Sequence, residues 1–223
     1  RRIGGAPSTY PVTGENEAVT NYPGKTDLPT APKISGRTKG GLGMAVMNAI
    51  TQEAFATVKN SVTGEEREVI VEPLANYNVS VLDQRFNKNS SVTLINTNVI
   101  RNGGFRDANV TAAVFNLNTK ANTYNLSGDF KFSAVNDVTD KTGTSAYLSA
   151  GKTSGKYRYN AAAFYVSKDF DINDMGIIFR TNYYNLYANG SYRILNPTKH
   201  YNSFTLNLNA YSEFHTTTGK LQT

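Results

Sequence analysis

A strict alternation of apolar and polar residues between Asn122 and Ala134 constrains the fold more than any other feature. The side chains on the apolar side are Tyr124, Leu126, Gly128, Phe130 and Phe132. The intervening residues are Asn125, Ser127, Asp129, Lys131 and Ser133, so the alternation has no exception. Because successive side chains of a β-strand point to opposite faces of a sheet, this period of two predicts a strand with one apolar and one polar face.

The same period continues from about residue 31 and is interrupted by clusters of Gly, Asn, Asp and Pro. Two further clear strands run from Tyr77 to Phe86 and from Tyr201 to Phe214. The other predicted strands are 32–39, 41–57, 90–101, 106–117, 144–153, 156–168 and 177–195. Short joins built from turn residues separate many of them, as hairpins require. We therefore predict about ten strands in an antiparallel meander, and no helix.

The first thirty residues lack this periodicity. They contain Pro7, Pro11, Pro23 and Pro29, and Pro disrupts both helices and central strands. We therefore predict two regions. Residues 1–30 form an irregular, Pro-rich lead-in that serves as a plug, a loop or a periplasmic segment, and residues 31–223 form the strands.

Composition favours a membrane barrel over a soluble domain. Only 18% of the residues are charged, against ~25% in ordinary soluble domains, while Asn, Thr and Ser supply about 30%. Several predicted strands reach the ~9–11 residues that a tilted strand needs to cross a bilayer, whereas soluble strands average ~5–6. The predicted fold class is therefore all-β: an antiparallel up-and-down transmembrane β-barrel, with about ten strands visible as part of a larger barrel. A soluble β-sandwich is the alternative.

Several chemistries are absent or poorly supported. The chain has no Cys, which excludes disulfides and thiolate catalysis, and its two His lie at distant positions. No run of 18 apolar residues exists, so a membrane-spanning helix is excluded. The net charge of +6 comes from basic residues scattered singly, without the cluster typical of nucleic-acid binding. We expect no cofactor, no metal, no nucleic-acid partner and no enzymatic activity.

Three motifs are weak matches to ligand-binding loops. The segment from Asp169 to Asp174 is similar to the start of a calcium loop, but Asp174 replaces the sharp-turn Gly and Arg180 replaces the closing Glu. We predict a turn there, in which side chains cap their own backbone and Gly176 takes a positive φ. The glycine-containing segments at 40–43 and 151–153 lack the spacing of phosphate loops and predict tight turns or close backbone approach.

Polar residues on the alternating strands are the best functional candidates. The predicted lumen-lining residues are Asn78, Ser80, Gln84, Asn125, Asp129, Lys131, Asn207, Asn209 and Glu213. Their hydroxyl and amide groups can hydrogen-bond water or sugar hydroxyls, and the charges set the sign preference of a pore. Plain filling of the lumen is the competing interpretation, and Tyr147 and Phe115, on the less apolar side of their strands, point to partial filling.

Tyrosines are concentrated in the last third of the chain. They include Tyr157, Tyr159, Tyr165, Tyr183, Tyr184, Tyr187 and Tyr192. Tyrosine rings are typical of the girdles that flank the apolar band of a membrane barrel, although they also stack on sugar rings. We predict a girdle.

Short blocks of sequence follow an order typical of a known family. They are 1–7 (RRIGGAP), 33–51 (KISGRTKGGLGMAVMNAIT), 72–77 (EPLANY), 89–92 (NSSV) and 169–176 (DFDINDMG). This order resembles an outer-membrane family of unknown function, frequent in Bacteroidota, in which a carbohydrate-binding-module-like β-sandwich precedes a C-terminal barrel. The resemblance implies that this chain is a large part of the barrel region and that the sandwich lies upstream. It implies no established activity.

We therefore expect an integral protein of the cell outer membrane that acts in binding or transport of glycans or other polymers, or as a subunit of a larger complex. The expected partners are outer-membrane lipid or lipopolysaccharide, other outer-membrane proteins and glycans. Two alternatives stay open. One is a structural membrane anchor with a filled lumen, and the other is a soluble carbohydrate-binding β-sandwich.

Overall fold

The computed structural model describes residues 3–223, in which thirteen strands form two antiparallel sheets. The strands are β1 (Glu17–Asn21), β2 (Lys33–Arg37), β3 (Leu42–Thr51), β4 (Ala54–Asn60), β5 (Glu66–Glu72), β6 (Ala75–Phe86), β7 (Ser90–Arg101), β8 (Asp107–Asn118), β9 (Tyr124–Asn136), β10 (Lys141–Lys152), β11 (Tyr157–Val166), β12 (Tyr183–Ile194) and β13 (Phe204–His215). Nowhere in residues 3–223 is there a helix with the length and apolar character needed to cross a membrane.

The larger sheet contains ten strands. From β6 to β13 each strand pairs with the next one along the chain, β3 pairs with β6, and β2 pairs with β3. This confirms the predicted all-β, antiparallel, up-and-down arrangement. Strands β2 and β13 are the two edges, so the described residues form an open sheet. The segment 220–223 folds back along β13, where the N–H of Glu213 donates to the carbonyl oxygen of Thr223 over 2.7 Å.

The smaller sheet has the order β1-β4-β5 and was not predicted. The predicted strand 41–57 is in fact two strands, because the chain leaves the large sheet at Gln52 and Glu53. Residues 58–68, which lie outside the predicted strands, contain the end of β4, the β4–β5 turn and the start of β5. Strand β1 lies inside the lead-in that was predicted to be irregular. Of that lead-in, residues 1 and 2 lie outside the described part.

Ion pairs explain why the strands of the small sheet lack an alternation of apolar and polar residues. Arg67 of β5 pairs with Glu17 of β1 over 2.7 Å, and Lys59 pairs with Glu66 over 3.0 Å across the hairpin. Hydrogen bonds from Arg67 and from the N–H of Gly14 lower the pKa of Glu17 to about 2. Glu17 and Arg67 lie on the same side of the small sheet as buried Val58, where a half-buried strand would carry apolar residues, so the pattern was typical of a loop.

The large sheet has two different faces. Paired residues of adjacent strands share a face, so the register links Asp129 to Tyr147, Phe164, Asn185 and Glu213 in one row. This face is less accessible to solvent, and we call it the covered face. The opposite, exposed face carries the apolar residues of β9 to β13, including Leu126, Phe130, Leu148, Leu186 and Leu208.

The two ends of the large sheet also differ. One end, the turn rim, consists of the connections 38–41, 87–89, 119–123, 153–156 and 195–203. The other end, the loop rim, consists of 52–74, which holds two strands of the small sheet, and of 102–106, 137–140, 167–182 and 216–223. A buried cluster of Ala49, Ala75, Tyr77 and Val99 lies on the covered face at the loop rim, where Ile3 and Met175 pack against it. The core cluster of the large sheet therefore lies at one end of the covered face.

Candidate functional site

The nine predicted lumen-lining residues do not share one face. Six lie on the covered face, and they are Asn125, Asp129, Lys131, Asn207, Asn209 and Glu213. The other three, Asn78, Ser80 and Gln84, lie on the exposed face, because the register connects Asn78 through Asn98 and Asn109 to Ala134. The nine residues therefore cannot line a single surface.

The different face of the β6 residues has a clear physical reason. This strand has apolar residues on both sides, with Tyr77 and Val79 on the covered face and Leu82 on the exposed face. Alternation shows that two faces exist, but it does not show which of them faces which neighbour. Phe115 does lie on the less apolar side of β8, but the register makes that side part of the exposed face. It lies on the exposed face above Gly128, with its ring 2.8 Å from the position that a β-carbon on Gly128 would take.

Asparagines form a hydrogen-bonded network on the exposed face near the loop rim. The amide of Asn48 donates to the side-chain oxygens of Asn76 over 2.5 Å and Asn78 over 2.8 Å. On the next strands, Asn96 donates to Asn109 over 3.1 Å. Because these amides bond to one another, a polar patch extends across β3, β6, β7 and β8 on a face that is otherwise largely apolar.

The polar residues of the covered face are also joined to one another. Lys131 forms an ion pair with Asp129 on the same strand. Glu213 is buried and accepts hydrogen bonds from Arg180 over 2.6 Å and from the Tyr211 hydroxyl over 2.7 Å. The covered face over β9 to β13 is therefore polar, and these carboxylates are paired with basic groups.

The long β11–β12 connection, residues 167–182, folds over the covered face at the loop rim. Phe170 is 3% exposed, and the N–H of Asp171 donates to the Ser133 hydroxyl over 3.1 Å. A β-carbon on Gly143 would lie only 2.3 Å from the Phe170 nitrogen and Cα. The loop backbone therefore rests directly on strands β9 and β10, at a position that only glycine leaves free.

An ion-pair network also joins this loop to strand β7 and to the β7–β8 connection. Arg101, at the end of β7, pairs with Asp174 over 2.8 Å, and the two side chains are 4% and 8% exposed. Arg106 pairs with Asp174 over 2.6 Å and with Asp171 over 3.0 Å. Burial raises the pKa of Asp171, but hydrogen bonds from the Asn173 N–H and from Arg106 outweigh it and leave that pKa below its ordinary value. The Asp171 carboxylate is therefore ionised near neutral pH.

A cavity of about 430 Å³ opens beside this network. Its lining includes Ser8, Thr9, Phe105, Arg106, Asp171 and Asn173. Both of the aspartates that line it within the loop, Asp171 and Asp174, are engaged by arginines. In the part of the chain that the structure describes, no group of three or more His, Cys, Asp and Glu side chains is placed to hold a metal ion.

The calcium-like segment is a turn, as the sequence predicted. The N–H of Asn173 donates to the Asp171 carboxylate over 2.9 Å, which is the local capping expected of an Asx turn. The prediction of a positive φ at Gly176 is wrong, since positive φ occurs instead at Asn182, with a value of 67°. The Arg101 and Arg106 side chains were not among the predicted site residues. The only sequence feature that could have indicated them is that two basic residues flank the turn 102–105 in a chain with few charges.

Replacing Gly143 by Ala is expected to displace the loop. The new methyl group would overlap the Phe170 backbone, which cannot move without breaking the Asp171 to Ser133 hydrogen bond. Faster hydrogen exchange at the Asp171 amide would report this change. Gly190→Ala in β12 is the matched control, because nothing lies within 4 Å of its added β-carbon. Equal exchange at Asp171 in the two variants would show that the loop does not depend on this contact.

Aromatic rings form two rows on the exposed face. Tyr165, Tyr184 and Phe214 are register partners toward the loop rim, and the Tyr184 and Phe214 rings stack 5.0 Å apart. Tyr157 and Tyr192 are partners toward the turn rim and stack 4.9 Å apart. Two of the predicted girdle residues, Tyr183 and Tyr187, belong to the covered face instead.

Comparison with known proteins identified one family. A protein-family model described as Domain of unknown function (DUF5916) matches residues 1–223. No curated protein matches the chain, and no solved structure does either.

Proposed function

We propose that this chain, which belongs to the DUF5916 family, forms part of the wall of an integral outer-membrane β-barrel that acts in binding or transport. The observation that carries the proposal is the inverted distribution of polarity. Over β9 to β13 the exposed face is apolar, and the face that lies under the 167–182 loop is polar. A water-soluble domain places its apolar face inward, and a barrel in lipid does the opposite.

The spacing of the aromatic rows supports a membrane setting. Tyr157 and Tyr165 lie eight residues apart on β11, which corresponds to ~26 Å along a strand. At a strand tilt of ~40° the rows would be ~20 Å apart across the membrane, near the ~25 Å height of the apolar band of known barrels. Ala161, Ala163, Ala188 and Leu186 lie between the rows on β11 and β12.

The open edges set a condition on this proposal. In hydrocarbon, each unpaired backbone group costs several kcal/mol, so a barrel must close. Direct pairing of β2, with five residues, against β13, with twelve, would leave most of β13 unpaired. We therefore propose that further strands complete the wall, supplied by the same protein or by another subunit of an outer-membrane complex. The pairing of 220–223 with β13 is consistent with a sheet that continues beyond that strand.

The covered face supports binding or transport of polar molecules. In the barrel it would face the lumen, where Asn207 and Asn209 present amides and Asp129, Lys131 and Glu213 present charges. Glycans or other polymers are the proposed cargo, and this choice rests on the resemblance to the outer-membrane family alone. A structural anchor with a filled lumen is the second candidate, and the 167–182 loop packed against the covered face favours it.

Fractionation of the full-length protein in its native cells tests the membrane proposal. We expect the protein in the outer-membrane fraction, extractable by detergent but not by salt or alkali, together with any bound partner or glycan. Recovery in the soluble fraction without detergent would contradict the proposal and would favour a soluble carbohydrate-binding β-sandwich. Channel measurements on the purified protein in planar bilayers would then separate transport from anchoring, because a filled lumen conducts no ions.

A further inference from the structure

Each of the five connections at the turn rim contains one lysine. Lys39, Lys88, Lys120, Lys156 and Lys199 are all exposed. None of these five lysines forms an ion pair within residues 3–223. Along the chain they lie dozens of residues apart, and the meander collects them on a single rim.

The same rim lacks acidic residues. The connections 38–41, 87–89, 119–123, 153–156 and 195–203 contain no Asp and no Glu. The opposite rim differs, since 137–140 and 167–182 carry Asp137, Asp140, Asp169, Asp171 and Asp174. The turn rim is therefore a uniformly positive edge, and a surface of this kind attracts anionic groups.

Aromatic residues of the exposed face stand at the strand ends next to four of these turns. Phe86, Tyr124, Tyr157 and Phe204 each adjoin a different turn of the rim, and they are 38%, 48%, 64% and 44% exposed. Aromatic rings next to lysines, at the boundary of an apolar band, are the arrangement that anchors proteins at the headgroup level of a bilayer. Single-stranded nucleic acid can also bind lysines and aromatic rings together, so RNA is included as a competitor in the test.

A cavity of about 600 Å³ lies between two of the turns. Lys88 of the β6–β7 turn and Lys120 of the β8–β9 turn both line it, together with Asn87, Asn89 and Asn122. Asn89 holds the two turns together, because its amide donates to the Asn122 side chain over 2.6 Å and to the Thr119 carbonyl over 2.9 Å. Two lysines and three asparagines therefore line one cavity between two hairpins, and hydrogen bonds of Asn89 connect the hairpins.

We propose that the turn rim binds the phosphate groups of anionic lipid headgroups and that the Lys88–Lys120 cavity holds one such headgroup. This inference rests on the proposed membrane function and adds to it a surface, a ligand class and a site. The aromatic residues next to the turns would place the turn rim at headgroup depth, and the lysines supply the charge complementary to phosphate. The amides of the cavity suit the hydroxyl groups that accompany phosphate in a glycerol or sugar headgroup.

The test compares two lipids on the full-length protein purified in dodecyl maltoside, which carries no charge. Native mass spectrometry would count bound phosphatidylglycerol and phosphatidylcholine at equal concentrations. We expect the wild-type protein to prefer phosphatidylglycerol. K88Q/K120Q should lose roughly 25-fold in affinity for it, since each lysine near a lipid surface contributes roughly a fivefold effect. K168Q/K220Q removes the same charge from the opposite rim and should keep the preference.

The possible outcomes separate the two proposals. Equal binding of the two lipids by the wild-type protein, or an unchanged preference in K88Q/K120Q, would overturn the headgroup site and leave the barrel proposal standing. Displacement of phosphatidylglycerol by equimolar inorganic phosphate or by a short RNA would show that the lysines bind free phosphate or nucleic acid, and would also overturn it. A protein that is stable without detergent and binds neither lipid would refute both proposals.

Discussion

Replacing Leu126 by Arg is expected to lower the free energy of unfolding in lipid by ~2–4 kcal/mol, the range measured for a charged side chain at the midplane of a barrel wall. Leu126 pairs with Ala150, which pairs with Ala161, midway between Tyr157 and Tyr165 on β11. If the aromatic rows mark the two interfaces, this position lies near the centre of the apolar band. Urea unfolding of the protein folded into lipid vesicles measures the effect.

Leu206→Arg supplies a depth control on the same face. Leu206 pairs with Tyr192 and therefore lies in the aromatic row toward the turn rim. The same substitution should cost only ~0–1 kcal/mol there, because the guanidinium can reach the headgroup layer. Val62→Arg, in the β4–β5 turn, controls for exposed apolar positions outside the large sheet, where surface substitutions change stability by less than ~0.5 kcal/mol.

The three variants distinguish lipid from water as the neighbour of the exposed face. Leu126 is 39% exposed and Leu206 is 53% exposed, so in water both sites should tolerate Arg about as well as Val62 does. A graded loss, largest at Leu126, is the signature of a bilayer. Three small and similar effects, measured for a protein that needs no detergent, would contradict the barrel proposal.

Local pattern predicted the strands of the large sheet well, because a period of two is a property of each strand alone. The predicted strand 90–101 coincides with β7, and β9 was identified from its alternation. Which side of a strand belongs to the covered face depends on pairing with distant strands. Asn125 and Asn78 were therefore predicted to share a face, but Asn125 lies on the covered face and Asn78 on the exposed face. The small sheet was missed because Glu17 and Arg67 give its strands the appearance of a charged loop.

The charges at the two rims likewise could not be predicted from local sequence pattern. The lysines look scattered along the sequence, and only the up-and-down topology shows that five successive turns at one end carry them. The contact of Arg101 with Asp174 spans 73 residues and joins the end of one strand to a loop, so no local spacing could signal it. Sequence pattern thus predicted the elements, whereas the candidate sites depend on long-range pairing.

Replacing Asp174 by Ala is expected to cost about 3–5 kcal/mol of stability, because it leaves the Arg101 guanidinium buried without its partner. The loop 167–182 should then come away from the covered face at the loop rim. Unfolding in urea would give the loss of stability, and hydrogen exchange at the Asp171 amide would report release of the loop.

Two further variants separate charge pairing from packing. Asp171→Ala removes a carboxylate that is 25% exposed and pairs with the part-exposed Arg106, so its cost should be well below that of Asp174→Ala. The double variant Arg101→Met with Asp174→Leu removes both buried charges and should recover most of the loss, since apolar pairs often replace buried ion pairs without penalty. If the double variant is as unstable as Asp174→Ala, the pair is not the source of the effect. If Asp174→Ala is as stable as the wild type, the position of the loop does not depend on this ion-pair network, and the contacts of Phe170 and Asp171 with β9 and β10 are sufficient to hold it.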